Sequence, residues 1–197
     1  SFFDNNNFAS FDFISQGDNI LKDTNSLRSR MINNLNIQSY DYYSKIGVKN
    51  NFNYYLKNTI SAGKNNTEYD SSPHIKFMNI FEIVSSFPLI SVNENSIDYL
   101  NPKISLRINP SDMKSYKNEN REINNDNIFD IDRLGLIDTL ESGQNLTLGI
   151  DYKNEKIGDI NKYFEFKLGT VLRTKTNKNI PINSTLNKKN SNFFGKL

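Results

Sequence analysis

VKNNFNYYLKNTISA, residues 48–62, decides the fold. Its even positions are Val48, Asn50, Phe52, Tyr54, Leu56, Asn58, Ile60 and Ala62. Its odd positions are Lys49, Asn51, Asn53, Tyr55, Lys57, Thr59 and Ser61. Apolar residues on one parity and polar residues on the other mark a half-buried strand. Ordinary strands have about five or six residues. At ~3.3 Å per residue this run reaches about 50 Å, long enough for a tilted strand to cross a bilayer and project beyond it. Val48, Phe52, Leu56 and Ile60 are also spaced by four, as on a helix face, so other windows must arbitrate.

Three windows do so. QNLTLGIDY (144–152) sets Leu146, Leu148, Ile150 and Tyr152 against Asn145, Thr147, Gly149 and Asp151. On a helix these four apolar residues would scatter around the cylinder; on a strand they form one face. FEFKLGTVL (164–172) sets Phe164, Phe166, Leu168 and Leu172 against Glu165, Lys167 and Gly169. PKISLRINP (102–110) sets Ile104, Leu106 and Ile108 against Lys103, Ser105, Arg107 and Asn109. The predicted fold is all-β. Strands fall at 8–16, 27–42, 47–62, 74–87, 103–109, 144–152 and 163–173, with an eighth starting near Ser191.

Composition selects among β architectures. Only 36% of the 197 residues are AVILMFWYC, and 33 are asparagine. A soluble sandwich built this way has a thin core. A barrel wall with a wet interior needs only one apolar residue in two. The net charge of +2 is an even mixture of signs, without the basic stripe that binds nucleic acid. There is no cysteine, hence no disulfide framework or thiolate metal site. No apolar run approaches the ~18 residues of a transmembrane helix. The opening Ser1-Phe2-Phe3 and closing Phe193-Phe194-Gly195-Lys196-Leu197 read as strand sequence cut from a longer protein. The expectation is therefore one segment, 1–197, of a large antiparallel transmembrane barrel: seven to eight meander strands, truncated at both ends.

The connections alternate in length. Those at 17–26, 63–73, 110–143 and 174–190 are longer and fall on the outer side by the rule for outer-membrane barrels. Those at 43–46, 88–102 and 153–162 fall on the periplasmic side, where 88–102 is unusually long. Tyr40, Tyr42, Tyr43, Phe87, Tyr99, Tyr152, Tyr163 and Phe164 cluster at strand ends, as interfacial girdles do. Tyr and Phe also favour strands in general. Parity predicts a lipid-facing set: Phe52, Leu56, Ile60, Ile104, Leu106, Ile108, Leu146, Leu148, Ile150, Phe166 and Leu168. The opposite set, Lys103, Arg107, Thr147, Asp151, Glu165 and Lys167, is expected to face a watery lumen.

Little here suggests catalysis. His74 is the single histidine and has no evident metal or triad partner. Asp126, Asp130, Asp132, Asp138 and Glu141 could in principle hold Ca²⁺. Their spacing matches no compact loop, and Arg133 offers an ion-pair partner instead. No nucleophile elbow, phosphate loop or cofactor motif is present. The reading is a non-enzyme without metal or cofactor. In the long loop, 111–127 is polar and expected to be mobile. The half carrying Ile128, Phe129, Ile131, Leu134, Leu136, Ile137 and Leu140 is expected to pack into the barrel mouth. There Arg133 should bond a carboxylate such as Asp138 or Glu141.

One stretch resembles a known family. Pro102 and Pro110 bracket an alternating strand. Asp132-Arg133-Leu134, Asp138, Glu141 and Gly143 follow, then Thr147-Leu148-Gly149. This resembles the mid-to-late barrel of the lipopolysaccharide-assembly outer-membrane proteins, the LptD or organic-solvent-tolerance family. Phe87-Pro88-Leu89 is similar to a further element of that pattern. The strong part covers about a quarter of the chain. The resemblance implies location in the bacterial outer membrane and export of lipopolysaccharide to the cell surface. It implies a lipoprotein plug, periplasmic lipopolysaccharide-transport bridge proteins and membrane lipids as partners. The family's jellyroll and gate strands have no recognisable counterpart here. The competing expectations are another porin or receptor barrel, or a secreted carbohydrate-binding or adhesive β-sandwich.

Overall fold

A computed structural model describes residues 8–23, 25–159 and 161–197. The opening Ser1-Phe2-Phe3 lies outside them. The described residues form one antiparallel sheet with almost no helix. Its strands are β1 (Ala9–Lys22), β2 (Ser26–Ser39), β3 (Tyr42–Tyr43), β4 (Lys49–Lys64) and β5 (His74–Ser86). They continue with β6 (Leu89–Val92), β7 (Ser96–Asn109), β8 (Gly143–Lys156), β9 (Tyr163–Arg173) and β10 (Phe194–Lys196). The path through the sheet is β1-β2-β4-β5-β7-β8-β9-β10, with β3 added to β4 and β6 to β7. It is an up-and-down meander. The sheet does not close on itself, and β1 and β10 are its edges.

The register explains why the two faces differ. Phe52, Ile83, Leu106, Leu146 and Leu172 lie opposite one another across five strands. Phe11, Ile37, Tyr54, Phe81 and Ile108 form a second apolar row. One parity step away on the other face runs Asn53, Glu82, Arg107, Asn145 and Arg173. A one-residue slip would exchange the rows, so the alternation itself holds the register.

The burial is inverted relative to a soluble protein. The apolar face is open: Phe52 is 50% exposed, Phe81 53% and Leu106 44%. On the charged face, Glu82, Arg107 and Asn145 are each 2% exposed or less. The cover over that face is the 110–142 connection, joined by 174–190. Met113, Ile123, Ile128, Leu134 and Leu136 of the first pack with Ile180 and Leu186 of the second on Val171 of β9. Leu140 packs on Met78 and Ile80 of β5. The apolar core therefore lies between the sheet's inner face and its own loops.

The structure corrects several boundaries. Gly17, Asp18 and Asn19 read as a turn, but β1 continues to Lys22, which pairs with Ser26 at the start of β2. Pairing with β2 overrides the local signal, helped by Asp18, which accepts two hydrogen bonds from Arg30 (3.0 and 2.5 Å). The long 88–102 connection is in fact the β6–β7 hairpin. Pro102 sits within β7 where β5 gives way to β6. Its missing N–H falls at that break, and its carbonyl accepts from Phe87 N–H (3.0 Å). The stretch 111–127 is not a free tether. Met113 and Ile123 are buried, and Tyr116 N–H donates to the Asn179 carbonyl (2.8 Å).

Polar residues on the open face satisfy one another. Ser15 Oγ donates to Asn33 Oδ1 (2.7 Å), Asn33 Nδ2 to Asn58 Oδ1 (3.1 Å), and Asn58 Nδ2 to the Lys76 carbonyl (3.3 Å). Such a ladder gives these amides partners within the sheet. At the end of the sheet that carries the β6–β7 hairpin the face turns polar, where Asp98 accepts from Tyr152 and Asn154 (both 2.8 Å). Between Leu100 and Ile108 the apolar band of β7 spans about 26 Å of strand.

Candidate functional site

The inner row and the loop meet in a buried ion cluster. Glu141, from the end of the 110–142 connection, is its centre. Arg133 forks onto it, Nε to Oε2 and Nη2 to Oε1, both at 2.7 Å. Arg173 from β9 bonds the same carboxylate, and Arg107 from β7 approaches at 3.4 Å. Asn145 Nδ2 donates to Glu141 Oε1 (3.3 Å), and Asn109 Nδ2 to its backbone carbonyl (2.9 Å). A second carboxylate, Glu82 of β5, accepts from Arg107 (3.2 Å), Ser105 (2.7 Å) and Asn53 (3.1 Å). Arg133 also donates to Thr147 Oγ1 (3.0 Å) and the Ile128 carbonyl (3.2 Å). Three strands and the loop are thereby tied through one anion.

Burial pushes the Glu141 carboxyl up, but Arg133, Arg173 and Arg107 outweigh it and hold it at about 2. Two flanking pairs complete the latch. Lys57 Nζ of β4 reaches Asp132 (3.2 Å) and donates to the carbonyls of Leu136 (2.5 Å) and Thr139 (3.4 Å). Asp138 accepts from Tyr69 (2.9 Å), Lys114 (2.9 Å) and Tyr116. Burial raises the Asp138 carboxyl, and these three donors pull it below its ordinary value.

No protein-family model matches the chain, and no curated protein matches it either. The site is therefore read from its geometry and from the residues themselves.

The eleven residues predicted to face lipid, Phe52, Leu56, Ile60, Ile104, Leu106, Ile108, Leu146, Leu148, Ile150, Phe166 and Leu168, share the open face by register. The opposite set is only partly as expected. Lys103 pairs with Asp151 and Glu165 with Lys167, half-exposed. Arg107 and Thr147 do not face water; each is 1% exposed beneath the loop. Their partners there, Glu82, Glu141 and Arg133, explain why charge and hydroxyl tolerate that depth. Among the described residues, no three His, Cys, Asp or Glu side chains are grouped to hold a metal ion. His74 begins β5, exposed.

Glu82, Lys57, Asn145 and Arg173 escaped the sequence reading as site residues. Each occupies the polar parity of a strand, but only the register reveals that they converge. A glycine pair escaped likewise. Gly149 and Gly169 face each other across β8 and β9 and form the notch in which the loop sits. A Cβ on Gly149 would meet the Phe129 ring at 2.6 Å, and one on Gly169 would meet Ile128 at 3.0 Å. Gly143 is required for another reason: its φ is +96°, and a Cβ there would lie 2.9 Å from Arg173. Gly149→Val should therefore lift Phe129 and destabilise the packed loop by about 1–3 kcal/mol. Limited proteolysis reads this directly: the substituted protein should be cut between 110 and 142 faster than the parent. Equal cleavage rates would show that the glycine notch does not hold the loop.

Proposed function

We propose that this chain is a wall section of an outer-membrane β-barrel that assembles or exports lipopolysaccharide. On this reading the open apolar face stands against lipid, and the 110–142 loop is a plug latched inside the mouth. The observation that carries the barrel is the inversion: a large contiguous apolar face stays open while arginine and glutamate are buried. Monomeric soluble proteins rarely expose so large an apolar patch. The free edges β1 and β10 would pair with further strands, since a spanning sheet must satisfy every backbone group. Export of lipopolysaccharide, with its lipoprotein and bridge partners, rests on the resemblance of the 102–149 motif. The motif residues Arg133, Glu141, Gly143, Thr147 and Gly149 lie together at the latch, which supports treating them as one element. The role is structural and conductive, without a catalytic step.

None of the 197 residues is a cysteine, so a cysteine introduced among them is alone there. Leu106 of β7 and Ile137 of the 110–142 loop are similarly open, 44% and 47%. Leu106→Cys and Ile137→Cys should nevertheless differ sharply on whole cells. A membrane-impermeant maleimide should label Ile137→Cys and leave Leu106→Cys unreacted until the outer membrane is dissolved. Comparable labelling of both on intact cells would remove the membrane reading and favour a secreted β-sandwich.

A further inference from the structure

The cap made by the 110–142 and 174–190 connections is held unevenly. We infer that it is a hinged lid, fixed along β7–β9 and released, when it opens, along β4 and the 65–73 connection. The fixed side is built from chain ends and buried charge. Asn109 and Gly143 pair across β7 and β8, so both ends of the first connection leave the sheet at one point. Beside that point Asn109 Nδ2 donates to the Glu141 carbonyl (2.9 Å), and Arg173 of β9 bonds both the Glu141 carboxylate and the Ser142 carbonyl. Ile128 and Phe129 fill the notch over Gly149 and Gly169. The second connection starts and ends on β9: Arg173 N–H donates to the Lys189 carbonyl (2.6 Å), and Ser191 N–H to the Val171 carbonyl (2.9 Å). The two connections share one apolar core, and of its eight buried residues only Val171 belongs to a strand. The cap is therefore one body, anchored on β9.

The opposite margin has less to hold it. Its apolar contact is Leu140 on Met78 and Ile80, three buried residues flanked by Tyr55 and Ile131. Its polar ties come from two side chains. Lys57 of β4 reaches Asp132 and the carbonyls of Leu136 and Thr139, and Tyr69 donates to Asp138 (2.9 Å). Beyond them the margin borders a cleft of about 530 Å³. Arg28 and Arg30 of β2 stand on one wall of it, and Ser115, Tyr116 and Lys117 of the cap on the other. Local opening follows the side with fewer buried contacts. Hinges are a few element-terminal residues that absorb the backbone change, and Gly143, with φ at +96°, stands at such a place. Swinging about β7–β9 turns the cleft into a passage along the inner face of β2 and β4. On the barrel reading this is the side on which the mouth opens. The hinge itself does not depend on what covers the apolar face.

Two buried thiols test it. Met78 of β5 and Val171 of β9 are both 0% exposed beneath the cap, the first under its free margin and the second at its anchor. Each is replaced singly, Met78→Cys or Val171→Cys, in the full-length protein. N-ethylmaleimide labelling at each site is followed by peptide mass spectrometry. Met78→Cys should react at least about tenfold faster than Val171→Cys, because the margin opens more often than the anchor. Tyr69→Phe removes one margin tie and leaves Asp138 its bonds from Lys114 and Tyr116. It should speed Met78→Cys about threefold or more and leave Val171→Cys unchanged. Lys57→Met should act in the same direction and more strongly. Circular dichroism establishes that each variant is folded, and an unfolded Lys57→Met would leave the decision to Tyr69→Phe. Equal rates at the two thiols, or a faster rate at Val171→Cys, would overturn the hinge. So would a folded Tyr69→Phe variant that speeds both thiols alike, since the whole cap would then be lifting, or one that speeds neither.

Discussion

Replacing Glu141 with glutamine should be among the most damaging single changes in the chain, costing about 3–5 kcal/mol. The reason lies in what stays behind. Glu141 is 2% exposed and is the shared anion of Arg133, Arg173 and Arg107. Glutamine keeps the shape but leaves Arg133 and Arg173 without a carboxylate and Arg107 with Glu82 alone. Arg133→Met should cost less, because the carboxylate keeps two arginine partners. Chemical denaturation of the full-length protein in detergent gives both values. A loss below ~1 kcal/mol for Glu141→Gln would show that the cluster is not the latch.

The same residue sets a pH signature. Its folded value, about 2, lies below the ordinary 4.5. A depressed carboxylate stabilises the fold above its unfolded pKa and loses that contribution as pH falls through the folded pKa. The window is therefore about pH 4.5 down to 2, and the loss there is on the order of 3 kcal/mol. Glu141→Gln should flatten the profile across that window. Asp138, also depressed, adds to the same acid limb.

The strand alternation was legible because period two is a local property. The long windows 48–62, 102–110, 144–152 and 164–172 lie in strands of the sheet, save for Val48 and Pro110 at their ends. The fork from Arg133 to a loop carboxylate was legible as well, since both residues sit in one apolar-rich loop. The depth of Thr147 and Arg107 was not. Parity tells which face a residue takes, but not whether water or a loop covers that face. Met113 and Ile123, isolated in a polar stretch, gave no periodic signal; their burial depends on Ile180 and Leu186, more than fifty residues away. Gly17 misled for the opposite reason: a turn-forming residue was held straight by its partner strand.

Parity does yield one sharp test on the open face. Leu148 lies between Ile104 and Thr170 in the apolar band, and Asn101 sits on β7 with its side chain on the opposite face. If the band meets hydrocarbon, Leu148→Arg places a guanidinium near the bilayer midplane, at a cost of about 2–4 kcal/mol. Asn101→Arg, half-buried on the inner side and beyond the plug, should cost under ~1 kcal/mol because its charge stays hydrated. Thr147 is a poor control, since its hydroxyl is bonded to Arg133 beneath the loop. Refolding yields in lipid vesicles, read as the heat-modifiable band of the full-length protein, compare the two. Leu148→Arg should collapse the yield while Asn101→Arg folds like the parent. In a water-soluble sheet the order would reverse or vanish, because an exposed Leu148→Arg would be harmless there; equal yields would therefore end the membrane reading.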